Sequence, residues 1–282
     1  MLATGAALSL LLVGAASAQA AGAASGWFAT AEGKVRLVAP APATGGAGTV
    51  RLGLDFVLAP GWKIYWRSPG DVGLPPEIDW HESTNLAAAA LAWPAPRRFA
   101  EDGLETIGYE GEVVLPVTVR LVRPGVPLGL RVRLTYLTCR DICIPRAARL
   151  VLDLPSAGAA GPGFAALIAR FAAAVPGPAT AGGLTLERVR LLAGSAPRLV
   201  LDLASTSAPL AAPDAFVEGP PGLVFAAPRV TLGASGGSAR LDLAVTGDRA
   251  SLARLAGPLR LTIVDGGRSL ETAAVPAPVA LP

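Results

Sequence analysis

The sequence predicts a mainly β protein in which two β-sandwich domains are joined by a short, helix-containing linker. Residues 34–154 and 184–264 each form a series of short segments with period-2 alternation, separated by turns rich in glycine and proline. Such a series is typical of a β-sandwich. One segment with helical periodicity lies between the two series. The 282 residues, 52% of them hydrophobic, are enough chain for two cores.

The first predicted domain covers residues 27–155 and contains seven predicted strands. The segment at 62–66 is a short aromatic strand that ends at the turn residues Ser68, Pro69 and Gly70. Long alternating segments at the end of the domain predict a hairpin. The predicted strands are 34–38, 50–58, 62–66, 78–80, 112–119, 128–138 and 146–154.

The linker is predicted at residues 156–183 and the second domain at residues 184–282. Apolar residues at i, i+3, i+4 and i+7, from Phe164 to Phe171, predict a helix over 163–172. The second domain has no Cys, His, Trp or Tyr, so catalytic chemistry is expected only in the first. Its predicted strands are 184–192, 198–203, 222–226, 229–232, 239–245 and 259–264.

The N-terminus is predicted to be a signal peptide over residues 1–18. Residues 6–16 are apolar and are followed by small residues that allow cleavage near Ala18 or Ala20. The apolar run is too short to span a bilayer, and no later segment is predicted to span one. No Lys or Arg precedes the run, which is atypical. We therefore expect an exported, periplasmic protein, in a compartment that permits disulfides.

Charge argues against nucleic acid as a partner. The 24 Lys and Arg and 21 Asp and Glu residues are interspersed, and the net charge is only +3. A nucleic-acid-binding chain more often shows a run or patch of positive charge.

The two cysteines, Cys139 and Cys143, are the feature that points to chemistry. Cys139 ends one predicted strand and Cys143 precedes the next, with three residues between them. In an extended chain their Cα atoms would be roughly 13 Å apart. A turn can bring them within the roughly 4.4–6.8 Å that a disulfide requires. Arg140 and Arg146 would favour a thiolate here and Asp141 would oppose it.

A structural disulfide and a redox-active disulfide both fit this spacing. Closing a loop of about five residues contributes only roughly 2 kcal/mol in the chain-entropy model, which weakens the case for a structural staple. The short spacing favours a redox role, because strained and exposed disulfides are the labile, reducible ones. The alternative of a binding module with a structural disulfide remains open at this point.

Metal binding and cysteine-protease chemistry receive less support. Zinc needs four ligands, and beyond the cysteines the sequence offers one histidine, His81, and one methionine, Met1. His81 is more typical of a surface or turn residue. A cysteine protease also needs a histidine base. No metal site and no cofactor are predicted.

Several ordered motifs in the first domain resemble the N-terminal periplasmic part of DsbD/ScsB-type disulfide reductases. The second half, with PDAFVEGP at 213–220, resembles the second sandwich of the ScsB-like branch. The first-domain motifs are WKIYWRSPGD (62–71), GLPP (73–76), WPAP (93–96), GYEG (108–111) with LPV (115–117), and YLTCRDICIP (136–145).

The resemblance implies an immunoglobulin-like first domain in which Cys139 and Cys143 are the redox pair. Family members receive electrons from a membrane domain and pass them to thioredoxin-like periplasmic proteins by thiol–disulfide exchange. Full-length members also carry that membrane domain and a C-terminal thioredoxin-like domain, and neither is present in this sequence. A separate membrane electron carrier is therefore an implied partner.

The family also covers its cysteine pair with a cap loop. Residues 97–111 match that segment, so four residues are implied as shielding or proton-handling residues: Phe99, Glu101, Asp102 and Tyr109. Which cysteine attacks first, and the direction of electron flow, do not follow from the resemblance. The resulting hypothesis is a periplasmic relay of reducing equivalents, with a non-catalytic module as the alternative.

Overall fold

The computed structural model describes residues 23–101, 103–158, 161–178 and 181–279. The predicted signal peptide at 1–18, its cleavage positions Ala18 and Ala20, and Asp102 lie outside these ranges. The described residues form two β-sandwich domains with a helix between them. This confirms the predicted fold class.

The first domain consists of two mainly antiparallel sheets. The strands are β1 Phe28–Thr30, β2 Gly33–Val38, β3 Thr49–Leu58, β4 Lys63–Gly70, β5 Glu77–Asp79, β6 Leu86–Leu91, β7 Arg97–Glu101, β8 Leu104–Glu110, β9 Glu112–Leu121, β10 Leu128–Cys139 and β11 Cys143–Leu154. One sheet has the strand order β1-β2-β3-β9-β6, and the other has the order β11-β10-β4-β8-β7 with β5 paired to β10.

Alternating side chains decide which face of each strand is turned inward. In β10, Leu130, Val132 and Leu134 are buried between the sheets, whereas Arg133 is exposed. Burying such an aliphatic side chain contributes roughly 1.5–3 kcal/mol. A shift of one residue would move the whole apolar set into solvent, so the register of β10 is strongly specified. That register also fixes where Cys139, its last residue, lies.

The linker contains helix α1, Ala165–Ala173, which packs on the first domain. Ile168 is buried, and Phe164 and Phe171 pack against the first-domain core. Gly53 on β3 permits this approach, because a Cβ there would lie 3.3 Å from Ile168 Cγ1. The periodicity that predicted a helix at 163–172 thus marks the face that the helix buries.

The second domain begins after a 3-10 turn at Ala181–Gly183. Its elements are β12 Leu184–Leu192, β13 Arg198–Ser205, β14 Asp214–Glu218, β15 Leu223–Phe225, β16 Arg229–Leu232, β17 Ser238–Gly247, α2 Arg249–Ala253, β18 Leu259–Asp265, β19 Arg268–Ala274 and β20 Ala277–Val279. The sheets have the orders β15-β17-β13-β12-β20, with β16 paired to β17, and β14-β18-β19. No helix in the described ranges has the length and apolar character needed to cross a membrane.

Strand β4 of the first domain contacts the second domain. The rings of Trp66 and Phe216 pack edge to face with their centroids 5.8 Å apart. The neighbouring Arg67 forms an ion pair with Glu218, at 2.7 Å between Nη2 and Oε1. Phe216 also belongs to the buried cluster of the first domain, so the two domains share apolar packing at this point.

Candidate functional site

The cysteines form a disulfide at the tip of the β10–β11 hairpin. Cys139 and Cys143 are direct partners in the antiparallel register, with their Cα atoms 4.1 Å apart and an S–S bond of 2.08 Å. In the intervening turn, the Arg140 amide donates a hydrogen bond to the Ile142 carbonyl. The sequence predicted that the two cysteines face each other across a tight hairpin, and the structure places them so.

The two sulfur-bearing residues differ in exposure. Cys139 lies on β10, between β11 and β4, and is only 3% exposed. Cys143 lies on β11, the edge strand of the sheet, and is exposed. Thiol–disulfide exchange requires an attacking sulfur to reach a disulfide sulfur from outside. Cys143 is therefore the more accessible point of attack.

Tyr65 hydrogen-bonds the exposed cysteine. Its hydroxyl lies 3.3 Å from Cys143 Sγ, and because a disulfide sulfur carries no proton, the hydroxyl is the donor. Burial raises the pKa of Tyr65, and the negative charge of Glu101 adds to the increase. The hydroxyl thus stays protonated at neutral pH and can donate to a thiolate that forms at Cys143.

Gly73 allows the ring of Tyr65 to lie in this position. A Cβ at residue 73 would lie 2.3 Å from Tyr65 Cε1, and its φ of +113° also disfavours other residues. The loop after β4 therefore packs its backbone directly on the ring.

Lys63 provides a positive charge beside the buried cysteine. It is the register partner of Cys139 on β4, so the two side chains leave the same face of the sheet. Lys63 is only 4% exposed, and its Nζ lies 2.5 Å from Glu101 Oε2 and 5.1 Å from the centroid of the Phe99 ring. A cation in this position favours a thiolate over a thiol.

The segment predicted to be a cap loop is a β-hairpin formed by β7 and β8, which we call the cap hairpin. Phe99 and Glu101 on β7 reach Lys63, so two of the four predicted cap residues lie on the face that carries the disulfide. Pairing with β4 extends the sheet through this segment, which explains why it is not an irregular loop.

Tyr109 does not lie on that face, so the structure corrects the expectation that it shields the disulfide. It pairs with Ile64, whose side chain points into the core, and its hydroxyl donates a 2.8 Å hydrogen bond to the Pro94 carbonyl. Burial raises the pKa of Tyr109 well above its usual value. The remaining predicted cap residue, Asp102, lies outside the described residues.

The arginines near the hairpin tip are paired with carboxylates. Arg146 forms an ion pair with Glu32 at 2.7 Å, and this hydrogen-bonded contact lowers the pKa of Glu32 from 4.5 to about 2. Arg140 pairs with Asp141 at 2.9 Å and stacks over Trp62. Much of the positive charge that the sequence places here is therefore locally balanced.

A groove of about 270 Å³ lies beside the start of β11. Its apolar lining includes Leu74 and Pro145, and Leu74 is exposed, as is Ile142 at the hairpin tip. An exposed apolar surface next to a reactive group is typical of a contact site for another molecule. The groove is lined by Leu74, Pro75, Glu77, Thr135, Tyr136, Leu137, Pro145, Arg146 and Ala147.

His81 lies away from the disulfide. It is exposed, and its Nδ1 is 2.7 Å from Asp79 Oδ2. Among the described residues no group of three or more His, Cys, Asp or Glu is arranged to hold a metal ion.

Comparison with known proteins identifies the first domain. Residues 34–155 match the family model described as "Thiol:disulfide interchange protein DsbD, N-terminal". The chain is also similar to the crystal structure of the N-terminal periplasmic domain of ScsB from Proteus mirabilis. The two are 28% identical with a TM-score of 0.73, over 91% of this chain and 99% of that one.

The chain carries a DsbD/ScsB-type N-terminal domain. Residues 174–278 match a second family model, described as a domain of unknown function, DUF8393. A comparison with curated proteins gives no match. The similar ScsB structure covers both sandwiches, so the pairing of the two domains is shared with it.

Sequence reasoning did not single out Lys63 or Tyr65 as site residues. Both lie in the aromatic strand that carried the family resemblance. Their placement next to the cysteines depends on the pairing of β4 with the last two residues of β10, Thr138 and Cys139. The period-2 spacing of residues 63 and 65 was visible, but nothing in the sequence shows which strand lies beside them.

Proposed function

We propose that the chain is a periplasmic thiol–disulfide exchange protein that relays reducing equivalents through Cys139 and Cys143. The observation that carries this proposal is the bonded pair itself. One sulfur is accessible, one is buried, and a hydroxyl donor and a cation stand beside them, all within a DsbD-type domain. The redox-bearing domain is taken as residues 27–155 and the second domain as 184–282, joined by a linker at 156–183.

The exchange proceeds in two steps that need only a partner with two thiols. A partner thiolate attacks Cys143 Sγ, forms a mixed disulfide, and releases Cys139 as a thiolate, which the nearby charge of Lys63 stabilises. The partner's second thiolate then attacks the partner sulfur of the mixed disulfide, which forms a disulfide within the partner and releases Cys143. The Cys143 thiolate accepts the Tyr65 hydrogen bond. Two electrons and two protons pass to this chain while the partner becomes a disulfide.

The same steps run in reverse when the partner is a disulfide, so the chain can act as donor or acceptor. By its resemblance to DsbD and ScsB, we assign the electron source to a separate membrane electron carrier. The electron acceptors are assigned to thioredoxin-like periplasmic proteins. The apolar groove beside β11 supports docking of such a protein next to Cys143, because apolar contacts of this kind form the core of protein interfaces.

The same comparison supports the proposed periplasmic location. The similar ScsB domain is periplasmic. The predicted signal peptide, cleaved near Ala18 or Ala20, fits export.

Trapping of mixed disulfides tests the proposal. Cys139→Ala leaves the exposed Cys143 thiol without its resolving partner and should accumulate mixed disulfides with periplasmic proteins. Cys143→Ala should capture far fewer, because the remaining Cys139 is buried. The double variant is the control for non-specific capture. If neither single variant captures more protein than the double variant, the relay is refuted.

The alternative is a non-catalytic binding module in which the disulfide is structural. Strands β10 and β11 already pair along their full length, from Leu128 and Leu154 to the cysteines, so the hairpin does not depend on the disulfide. A measured reduction potential separates the two functions. A value below about −300 mV indicates a structural bond, whereas a relay should be more easily reduced.

A further inference from the structure

The rear face of the cap hairpin is attached to the second domain. Arg98 on β7 donates two hydrogen bonds to Asp214, each 3.1 Å, and one of 2.9 Å to the Ala215 carbonyl. Its guanidinium also lies over the ring of Phe216 at 5.0 Å. The side chain is only 13% exposed. Bidentate, partly buried pairs of this kind are among the stronger hydrogen-bonded contacts in proteins.

The other strand of the cap hairpin is attached as well. Glu105 on β8 accepts a 2.8 Å hydrogen bond from Arg98 and a 3.1 Å hydrogen bond from the backbone amide of Ala227. The second domain therefore contacts both strands of the hairpin, and Arg98 links the strands to each other. Since Asp214 and Ala227 belong to separate segments of the second domain, a rotation of the hairpin away from β4 would break contacts to both.

The same interface also holds β4, the strand that carries Lys63 and Tyr65. Arg67 donates three hydrogen bonds of 2.7–3.1 Å to Glu218 and also pairs with Glu271. The second domain thus contacts the strand that supports the disulfide site and the hairpin that covers it. These contacts fix the two elements relative to each other.

The front face of the hairpin is held much more weakly. Its side-chain contacts with the site are the ion pair from Glu101 to Lys63 and the packing of the Phe99 ring against the Lys63 ammonium group, and Glu101 is 61% exposed. Exposed ion pairs contribute little to stability, usually less than about 1 kcal/mol. The position of Phe99 and Glu101 over Lys63, next to the buried Cys139, therefore depends on the pairing of β8 with β4 and on the contacts behind the hairpin.

We infer that the second domain is a brace that holds the cap hairpin over the disulfide site and limits access to Cys139. Arg98 and Asp214 are its positioning residues. This inference gives a role to the DUF8393 domain and rests on the proposed function only in taking the disulfide as the reactive group. When the brace is released, the hairpin moves away from Lys63 more often. Cys139 then becomes open to attack as well as Cys143, and Glu101 no longer offsets the Lys63 charge that stabilises a leaving Cys139 thiolate, so the disulfide reacts faster.

Reduction of the oxidised, full-length chain by dithiothreitol tests the brace. Arg98→Gln and Asp214→Asn should each raise the second-order rate constant about three- to tenfold. This is less than the roughly tenfold or more that full loss of a charged hydrogen-bonded contact allows, because the pairing of β8 with β4 still holds the hairpin. Arg98→Lys keeps one charged contact, so its rate constant should lie between those of these variants and that of wild type. Arg190→Gln is the matched control, because it removes a 2.7 Å pair with Asp202 that lies within the second domain.

Hydrogen exchange and thermal unfolding complete the test. Amides of β7 and β8 should exchange faster in the brace variants than in wild type, at a temperature where all variants are fully folded. The inference is overturned if the rate constants of the brace variants stay within about twofold of wild type, or if Arg190→Gln raises the rate equally. Dithiothreitol needs no protein partner, so this outcome is independent of the trapping experiment that tests the relay.

Discussion

The Tyr65 hydroxyl should determine how readily Cys143 forms a thiolate. Replacing Tyr65 by Phe removes the donor 3.3 Å from Sγ and leaves the buried ring in place. A hydrogen bond to a charged group contributes about 1.5–3 kcal/mol, and sulfur is a weak acceptor. We therefore expect a loss near the lower end, about 1.4 kcal/mol, which lowers the thiolate fraction about tenfold. Each remaining thiolate is about threefold more nucleophilic, so the net rate at pH 7 should fall about three- to fourfold.

The assay follows the reaction of the single Cys143 thiol, in a Cys139→Ala background, with a small aromatic disulfide between pH 5 and 10. Tyr65→Phe should shift the midpoint of the pH–rate profile upward. Tyr109→Phe is the matched control, since it removes a hydroxyl bonded to Pro94 on the opposite face of the sheet. It should lower stability by about 1 kcal/mol and leave the profile unchanged. An identical midpoint for Tyr65→Phe and wild type would refute the reasoning.

Three further substitutions and one control substitution test the surroundings of the disulfide. Lys63→Met removes the cation opposite the leaving cysteine and should slow reduction by dithiothreitol several-fold in stopped-flow traces; an unchanged rate contradicts the assigned role. Glu32→Gln should lower the thermal unfolding midpoint at pH 7. The pKa of Glu32 falls from 4.5 to about 2 on folding. The contribution of its ion pair to the free energy of unfolding is therefore present above pH 4.5 and is lost as pH falls towards 2. The difference in unfolding midpoint between wild type and Glu32→Gln should therefore shrink on acidification. A difference that stays constant with pH would contradict this assignment. Gly73→Ala should displace the Tyr65 ring and slow the Cys143 reaction. Gly111 has a φ of +69° and open space around it, so Gly111→Ala should lower the thermal unfolding midpoint and leave the Cys143 rate unchanged.

The strands with clear alternation could be predicted from the sequence. The segments at 128–138 and 146–154 match β10 and β11 closely, and that match places the two cysteines opposite each other. Strand β6, Leu86–Leu91, was missed because its four alanines give no alternation. Pairing with β9 makes it a strand, and such tertiary support is invisible in a short window.

The cap hairpin shows the limit of a resemblance. It located residues 97–111 correctly as the segment next to the site, and Phe99 and Glu101 do reach Lys63. The resemblance does not give the register of β8 against β4. Without the pairing of Ile64 with Tyr109, nothing shows that the Tyr109 side chain points into the core. The contacts between the domains are still harder to predict from the sequence, because Arg98 and Asp214 are 116 residues apart and no local pattern links them.

Strand β4 performs two tasks on alternate residues. Over residues 63–66, Lys63 and Tyr65 lie beside the disulfide, while Ile64 and Trp66 face the core and Trp66 also packs on Phe216 of the second domain. Because successive side chains of a strand leave opposite faces, a one-residue slip in the register of β4 would exchange the two sets at once. The surroundings of the disulfide and the contact between Trp66 and Phe216 would then be lost together. The pairing register of β4 is thus under a double constraint.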